Sequence, residues 1–276
     1  MTAVQQHRPI GVFDSGVGGL TVLKAIRERL PAEHLLYLGD TARLPYGTKS
    51  PASVLRYASQ AAAHLARRDI KLLVVACNTA SAVALDELTE ALRPLPVVGV
   101  VGPGAQAAVR AAPSGRHLVL ATEATVRLGA YRRAITALDP DAEIRELACE
   151  LLVALAEEGW TQGEIPDAIV RRYLAMLNDD AVRFRPQSVI LGCTHFPLLR
   201  DALRNAIGPG IPIVDSAGTT ADVVAALLRE RDLRAPAAGD GTLQLLATDG
   251  ARRFARVGST FLGQPLSADD IEITDL

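Results

Sequence analysis

The sequence predicts an α/β protein of two similar units, each built on a mainly parallel sheet, with strand ends facing one another across a central cleft. Three observations predict this. Short apolar runs alternate with helical patterns along the whole chain, as in repeated βαβ winding. The run Leu72–Val75 leads through Ala76, Cys77, Asn78 and Thr79 into a helical segment. The same design returns at Ser188–Leu191, where Gly192, Cys193, Thr194 and His195 precede another helical segment. A cysteine at the C-terminal end of a strand, just before a helix, sits where ligands bind in open α/β sheets. Free N–H groups and the helix dipole also lower a thiol's pKa there.

Composition narrows the function classes. At 276 residues with 49% apolar side chains, the chain is long enough for one large or two smaller α/β domains and can fill their cores. A net charge of −2 and dispersed basic residues carry no signature of nucleic-acid binding. No apolar run reaches the ~20 residues of a membrane helix, and the N-terminal stretch has no secretory pattern. The three cysteines, Cys77, Cys149 and Cys193, form neither an even framework nor a CxxC pair, so reduced thiols in the cytoplasm are expected.

In chain order, Ile10–Phe13 reads as a strand, followed by Asp14-Ser15-Gly16-Val17-Gly18-Gly19 and a helix to about Arg29. The glycines invite a dinucleotide fingerprint with Asp40 as its acidic residue, but Thr21 stands where the third glycine belongs. Asp14 and Ser15 remain open between helix capping and ligand contact. Leu35–Leu38 is a strand, and Gly39–Gly47, with Pro45 and Tyr46, is either a binding loop at the same rim or an ordinary turn. A helix over 50–67 starts with Pro51 in its first turn. Pro96–Val101 is a strand, and Val101-Gly102-Pro103-Gly104 is the expected crossing to the second unit. There the pattern restarts with strand Leu118–Ala121, a polar end at Thr122–Thr125 and helix 126–138. Strand Ile144–Leu147, a helical stretch at 151–156, helix 165–178 and the Cys193 strand follow, then helix 196–207. Strand 211–214, helix 218–231, a Pro/Ala/Gly-rich loop over 231–241, strand 242–248 and a short helix 250–257 close the chain before an acidic tail. The first unit is therefore expected to comprise 1–101 plus 210–276, and the second 102–209.

Several chemistries can use such cysteines. Cys193-x-His195 is too thin for a zinc site. A Cys–His nucleophile leaves the second, matching cysteine without a role, and a redox pair lacks its usual motif. Two buried core thiols are the plain alternative, which leaves the repeated polar residues after each one unexplained. Inversion of a carbon stereocentre uses two equivalent thiols, a base on one face of the carbon and an acid on the other, exchanging roles in the reverse direction.

The segments FDSGVGGLTV, LGDTARLPYGTKS, VVACNTASAVAL and ILGCTHFPLL closely resemble the glutamate racemases of bacterial cell-wall synthesis, within the aspartate/glutamate racemase family. The resemblance runs from about Ile10 to Val214. It implies the two-domain α/β arrangement and racemisation of glutamate with neither metal nor pyridoxal phosphate. It also implies a cytoplasmic enzyme, a homodimer, that supplies D-glutamate for peptidoglycan and binds no nucleic acid or membrane. Cys77 and Cys193 are then the proton donor/acceptors, acting on D- and L-glutamate respectively. Asp14 assists Cys77, His195 assists Cys193, and Glu157 is a further acidic residue on the Cys193 side. Substrate contacts carry over onto Asp14, Ser15, Tyr46, Gly47, Asn78, Thr79, Thr122, Thr194 and His195. The chain departs from the family's pattern before Glu157, where two prolines are replaced by Glu150 and Ala154. Cys149 is expected in the core. The rival readings are a racemase for aspartate or another amino acid, or a non-catalytic amino-acid-binding protein on the same fold.

Overall fold

The computed structural model describes residues 3–178, 184–236 and 239–276. The first stretch runs α1 (Ala3–Gln6), β1 (Ile10–Asp14), α2 (Leu20–Arg29), β2 (Leu35–Gly39), α3 (Pro51–Arg67), β3 (Leu72–Val75), α4 (Asn78–Ala91) and β4 (Val97–Gly99). Helix α5 (Val101–Ala111) leads to β5 (Arg116–Ala121), α6 (Glu123–Arg127), α7 (Ala130–Leu138), β6 (Glu143–Ala148), α8 (Glu150–Glu157) and α9 (Glu164–Ala175). Then come β7 (Ser188–Gly192), α10 (Arg200–Ile207), β8 (Ile213–Asp215), α11 (Ser216–Glu230), β9 (Leu243–Ala247), α12 (Ala251–Leu262) and β10 (Ile271–Ile273).

These strands form two wholly parallel sheets, one of order β10-β9-β2-β1-β3-β4 and one of order β6-β5-β7-β8. Their strands read as continuous apolar runs because helices cover both faces; β1, β2, β3 and β7 are buried at every position. The windings are the same. From β1 the chain steps out to β2, crosses back to β3 on the other side, and steps on to β4; β5 to β8 repeat this. Each sheet therefore has one topological switch point, between β1 and β3 and between β5 and β7, where neighbouring loops diverge and leave a crevice. Cys77 follows β3 and Cys193 follows β7, so the two thiols occupy equivalent places.

Some local expectations are corrected. Strand β8 pairs with β7 in the smaller sheet, and the chain rejoins the larger sheet only at β9, so 210–276 does not belong as a block with the first unit. The crossing expected at Val101-Gly102-Pro103-Gly104 does lie between β4 of the larger sheet and β5 of the smaller, where these residues form the start of helix α5. Its first intrahelical bond runs from Gly104 N to Val100 O, so Pro103 lacks only an N–H that would have stayed unpaired. The single helix expected over 126–138 is broken at Gly129, which takes φ +58°. The acidic tail supplies β10, parallel to β9, and α12 extends to Leu262. Within the expected loop over 231–241, residues 237 and 238 lie outside the described residues.

Candidate active site

Helix α4 begins at the first switch point with Cys77 as its N-cap. Its Sγ accepts from the Ala80 N–H at 3.4 Å and lies 3.6 Å from Ser15 Oγ. Asp14, the last residue of β1, is fully buried; its Oδ2 accepts from Gly16 N at 2.9 Å, and its Oδ1 has no hydrogen-bond partner. Burial raises the Asp14 pKa, against the pull of His195 and the Gly16 amide. Burial, and then the Asp14 charge, push the Cys77 thiol up to about 12, so it is protonated at neutral pH.

At the second switch point, Cys193 Sγ and His195 Nδ1 are 3.8 Å apart. His195 Nε2 is 3.2 Å from Glu157 Oε1, and Glu157 Oε2 accepts from Arg253 at 2.9 Å. Burial alone would lower the His195 pKa, but contact with Cys193 and Glu157 outweighs it and pushes the imidazole up to about 10. Burial likewise opposes ionisation of Glu157, yet His195 and Arg253 together hold its pKa below the ordinary carboxylate value. This side of the site is thus a chain of charges, imidazolium, carboxylate, guanidinium, leading from Cys193 to the surface.

Both cysteines line one small cavity of about 30 Å3, together with Ser15, Tyr46, Gly47, Asn78, Thr79, Thr122, Thr194 and His195. Asp14 is set back from this wall, and Glu157 stands behind His195 on the wall of a separate cavity. The two halves are joined by hydroxyls: Thr79 Oγ1 lies 2.9 Å from Thr122 Oγ1 and 3.3 Å from Thr125 Oγ1. Tyr131 donates to Asn78 Oδ1 at 2.7 Å, so the buried Asn78 Nδ2 is left without a partner. Tyr46 is anchored by its hydroxyl, which donates to Asp40 Oδ2 at 2.5 Å. Asp40 also accepts from Thr248 Oγ1 at 2.9 Å and pairs with Arg43, so its carboxylate is engaged in holding the 40–47 loop. Cys149 is fully buried in the core, as expected.

Pro45, from the candidate binding loop, lines the cavity wall; sequence reasoning missed Val153 on that wall, and Arg253 and Phe261 behind His195. Glu150 was visible only as a departure from a pattern; it lines the cavity and accepts from the Glu123 N–H. The lost prolines leave α8 intact, since Glu and Ala favour a helix more than proline does.

At Gly18 the two halves approach closely: a Cβ there would collide with Thr194 Oγ1 and His195 Nδ1. Gly18→Ala is expected to lower kcat/KM by about a hundredfold, because a shift of ~1 Å at reacting groups costs that much. Steady-state kinetics beside a thermal melt would separate this from loss of fold.

A thiol at each of two matched switch points, one beside a buried carboxylate and one beside an imidazolium, is an arrangement for moving a proton across a bound carbon. The Asp/Glu/hydantoin racemase family model matches residues 10–224. Glutamate racemase of Geobacter metallireducens is 49% identical over 94% of each chain. The glutamate racemase of Francisella tularensis, solved in complex with D-glutamate, superposes with a TM-score of 0.89 at 33% identity over 98% of each chain. That of Thermus thermophilus, solved with β-chloro-D-alanine, gives 0.85 at 41% over the same share. The four sequence blocks, the paired sheets and these likenesses converge, and the chain belongs to the Asp/Glu/hydantoin racemase family.

Proposed function

We propose that the protein is a cofactor-independent glutamate racemase, interconverting L- and D-glutamate by proton transfer between Cys77 and Cys193. The observation that carries this reading is the placement of both thiols on one cavity wall, from equivalent positions of two equivalent sheets. A Cys193 thiolate, with the His195 imidazolium as counter-ion, takes the α-proton of L-glutamate. The protonated Cys77 then delivers a proton to the opposite face, and the carbon inverts. The thiols are left in exchanged protonation states, ready for the D-enantiomer. Asp14 and Ser15 assist on the Cys77 side, and His195 and Glu157 on the Cys193 side.

The polar wall supports an amino-acid ligand. Asn78 Nδ2, buried and unpaired, is a donor for a substrate carboxylate, with the Thr79, Thr122 and Thr194 hydroxyls beside it. The backbone at Tyr46 and Gly47 borders the same space. We propose further that the two sheets mark two domains closing on the substrate, and that the enzyme works in the cytoplasm as a homodimer supplying D-glutamate for peptidoglycan. Among the described residues no helix is long and apolar enough to cross a membrane.

Proton NMR of L-glutamate in D2O with the purified protein and no added cofactor tests the reading. Loss of the α-proton signal with accumulation of D-glutamate is expected. Exchange of aspartate but not glutamate would transfer the activity to another substrate, and no exchange with any amino acid would sink the catalytic reading.

A further inference from the structure

We infer that Arg253 is a positioning residue of the reaction, holding Glu157 from the opposite half of the molecule so that Glu157 in turn holds His195 against Cys193. The inference rests on the racemase reading for its kinetic consequence, though not for its geometry.

Arg253 lies in the first turn of α12, which follows β9 of the six-stranded sheet, whereas Glu157 ends α8, which follows β6 of the four-stranded sheet. Their 2.9 Å ion pair therefore ties the two halves together immediately behind the imidazole. The same helix makes a second contact with the relay. The Phe261 ring meets His195 edge-on, with centroids 5.0 Å apart at 76°. Phe254, Val257, Phe261 and Leu262 are buried, and Phe254 packs against Tyr37 at 6.0 Å, so α12 is a firm base for both contacts.

Charge explains why a cation is needed. Glu157 faces His195 and Arg253 and also feels the buried Asp14; Glu158 lies 3.9 Å from the same guanidinium, and Asp249 shares the adjacent cavity wall. Arg253 is the cation that offsets these carboxylates on the outer side of Glu157. With the Arg253 side chain half-exposed, the pair contributes modestly to stability, and its main effect belongs to the relay.

The test is an NMR titration of the His195 imidazole, with 13C-labelled histidine, in the wild type, Arg253→Gln and Arg253→Lys; the resonance is assigned with His195→Gln. In Arg253→Gln the His195 pKa is expected to fall by at least about 0.5 unit, because Glu157, no longer held by a cation, turns toward solvent and its carboxylate leaves the imidazolium. Arg253→Lys restores most of it. In kinetics, Arg253→Gln should lower kcat about tenfold and narrow the pH profile. The acid limb rises as Glu157 loses its cation, and the alkaline limb falls as His195 loses its support. L- and D-glutamate must show equal changes in kcat/KM, since their equilibrium constant is one. An unmoved His195 titration in Arg253→Gln overturns the inference, as does a uniform loss of rate with both limbs in place. Wild-type inactivity on glutamate would instead remove the proposed function and leave the titration result standing.

Discussion

Cys77→Ser and Cys193→Ser are each expected to reduce racemisation by at least about a thousandfold, the upper part of the range for a positioned acid or base. A serine hydroxyl is too weak an acid to share a proton with its opposite number, so one face of the substrate carbon loses its partner. Both directions of reaction fail together, because a defect in one direction of an equilibrium fixed at one is a defect in the other. The Cys77 variant makes an unusually clean test. Cys77 caps α4 through its sulfur, and a serine oxygen is the better N-cap, so the melting temperature is expected to hold or rise while turnover vanishes. Polarimetry or chiral analysis of the product, with a thermal melt on the same sample, reads both. More than a tenth of wild-type turnover in either variant would remove the two-thiol mechanism.

The largest expected effect on stability lies at the other ends of the strands. Lys71, just before β3, and Glu33, just before β2, form an ion pair at 2.5 Å with side chains only 1% and 2% exposed. Lys71 also donates to Gln6 O at 2.6 Å, and Glu33 accepts from Ala235 N at 2.8 Å, so the pair fastens both the N-terminal segment and the stretch after α11 to the larger sheet. Lys71→Met leaves the carboxylate buried without its cation, which costs about 3–5 kcal/mol. For a chain of this size that lowers Tm by about 10 °C. Adding Glu33→Leu should recover most of the loss, because burying two matched apolar groups costs less than burying one unpaired charge. A Lys71→Met melt within about 2 °C of wild type would contradict this reading. The site lies at the opposite ends of the strands, so the folded variant is expected to keep its KM.

The strand framework was legible because its signals are local. Leu72–Val75 and Ser188–Leu191 are buried on both faces, and apolar runs of that kind have few other uses in a chain with this composition. The helix starts were legible for the same reason, as Pro51 in the first turn of α3 and Cys77 just before α4 show. Helix α5 was obscured by its own first turn. Val-Gly-Pro-Gly carries no helical pattern, yet Pro103 occupies a position needing no N–H, and Gly104 is small because the Tyr131 hydroxyl would lie 2.9 Å from any Cβ there. Strand β10 went unseen because an edge strand of three residues, Ile-Glu-Ile, with Glu272 paired to Arg68, carries too little apolar pattern.

The sequence by itself determined the chemistry: two thiols, each at the end of a buried strand and the head of a helix, with Ser15 following Asp14 at another strand end and His195 two residues after Cys193. Those relations span a few residues, and backbone geometry alone converts them into positions. Tertiary structure decided everything that depends on the two sheets meeting. It placed Glu157 rather than Glu158 on His195, put Thr122 beside Thr79, left Gly18 no room for a side chain, and assigned β8 to the smaller sheet. It also brought Arg253 and Phe261 to the relay from a helix far along the chain. An arginine and a phenylalanine on an amphipathic helix look like any others until the partner surface exists. Contacts made across long stretches of chain leave no periodicity behind, and only folding selects among them.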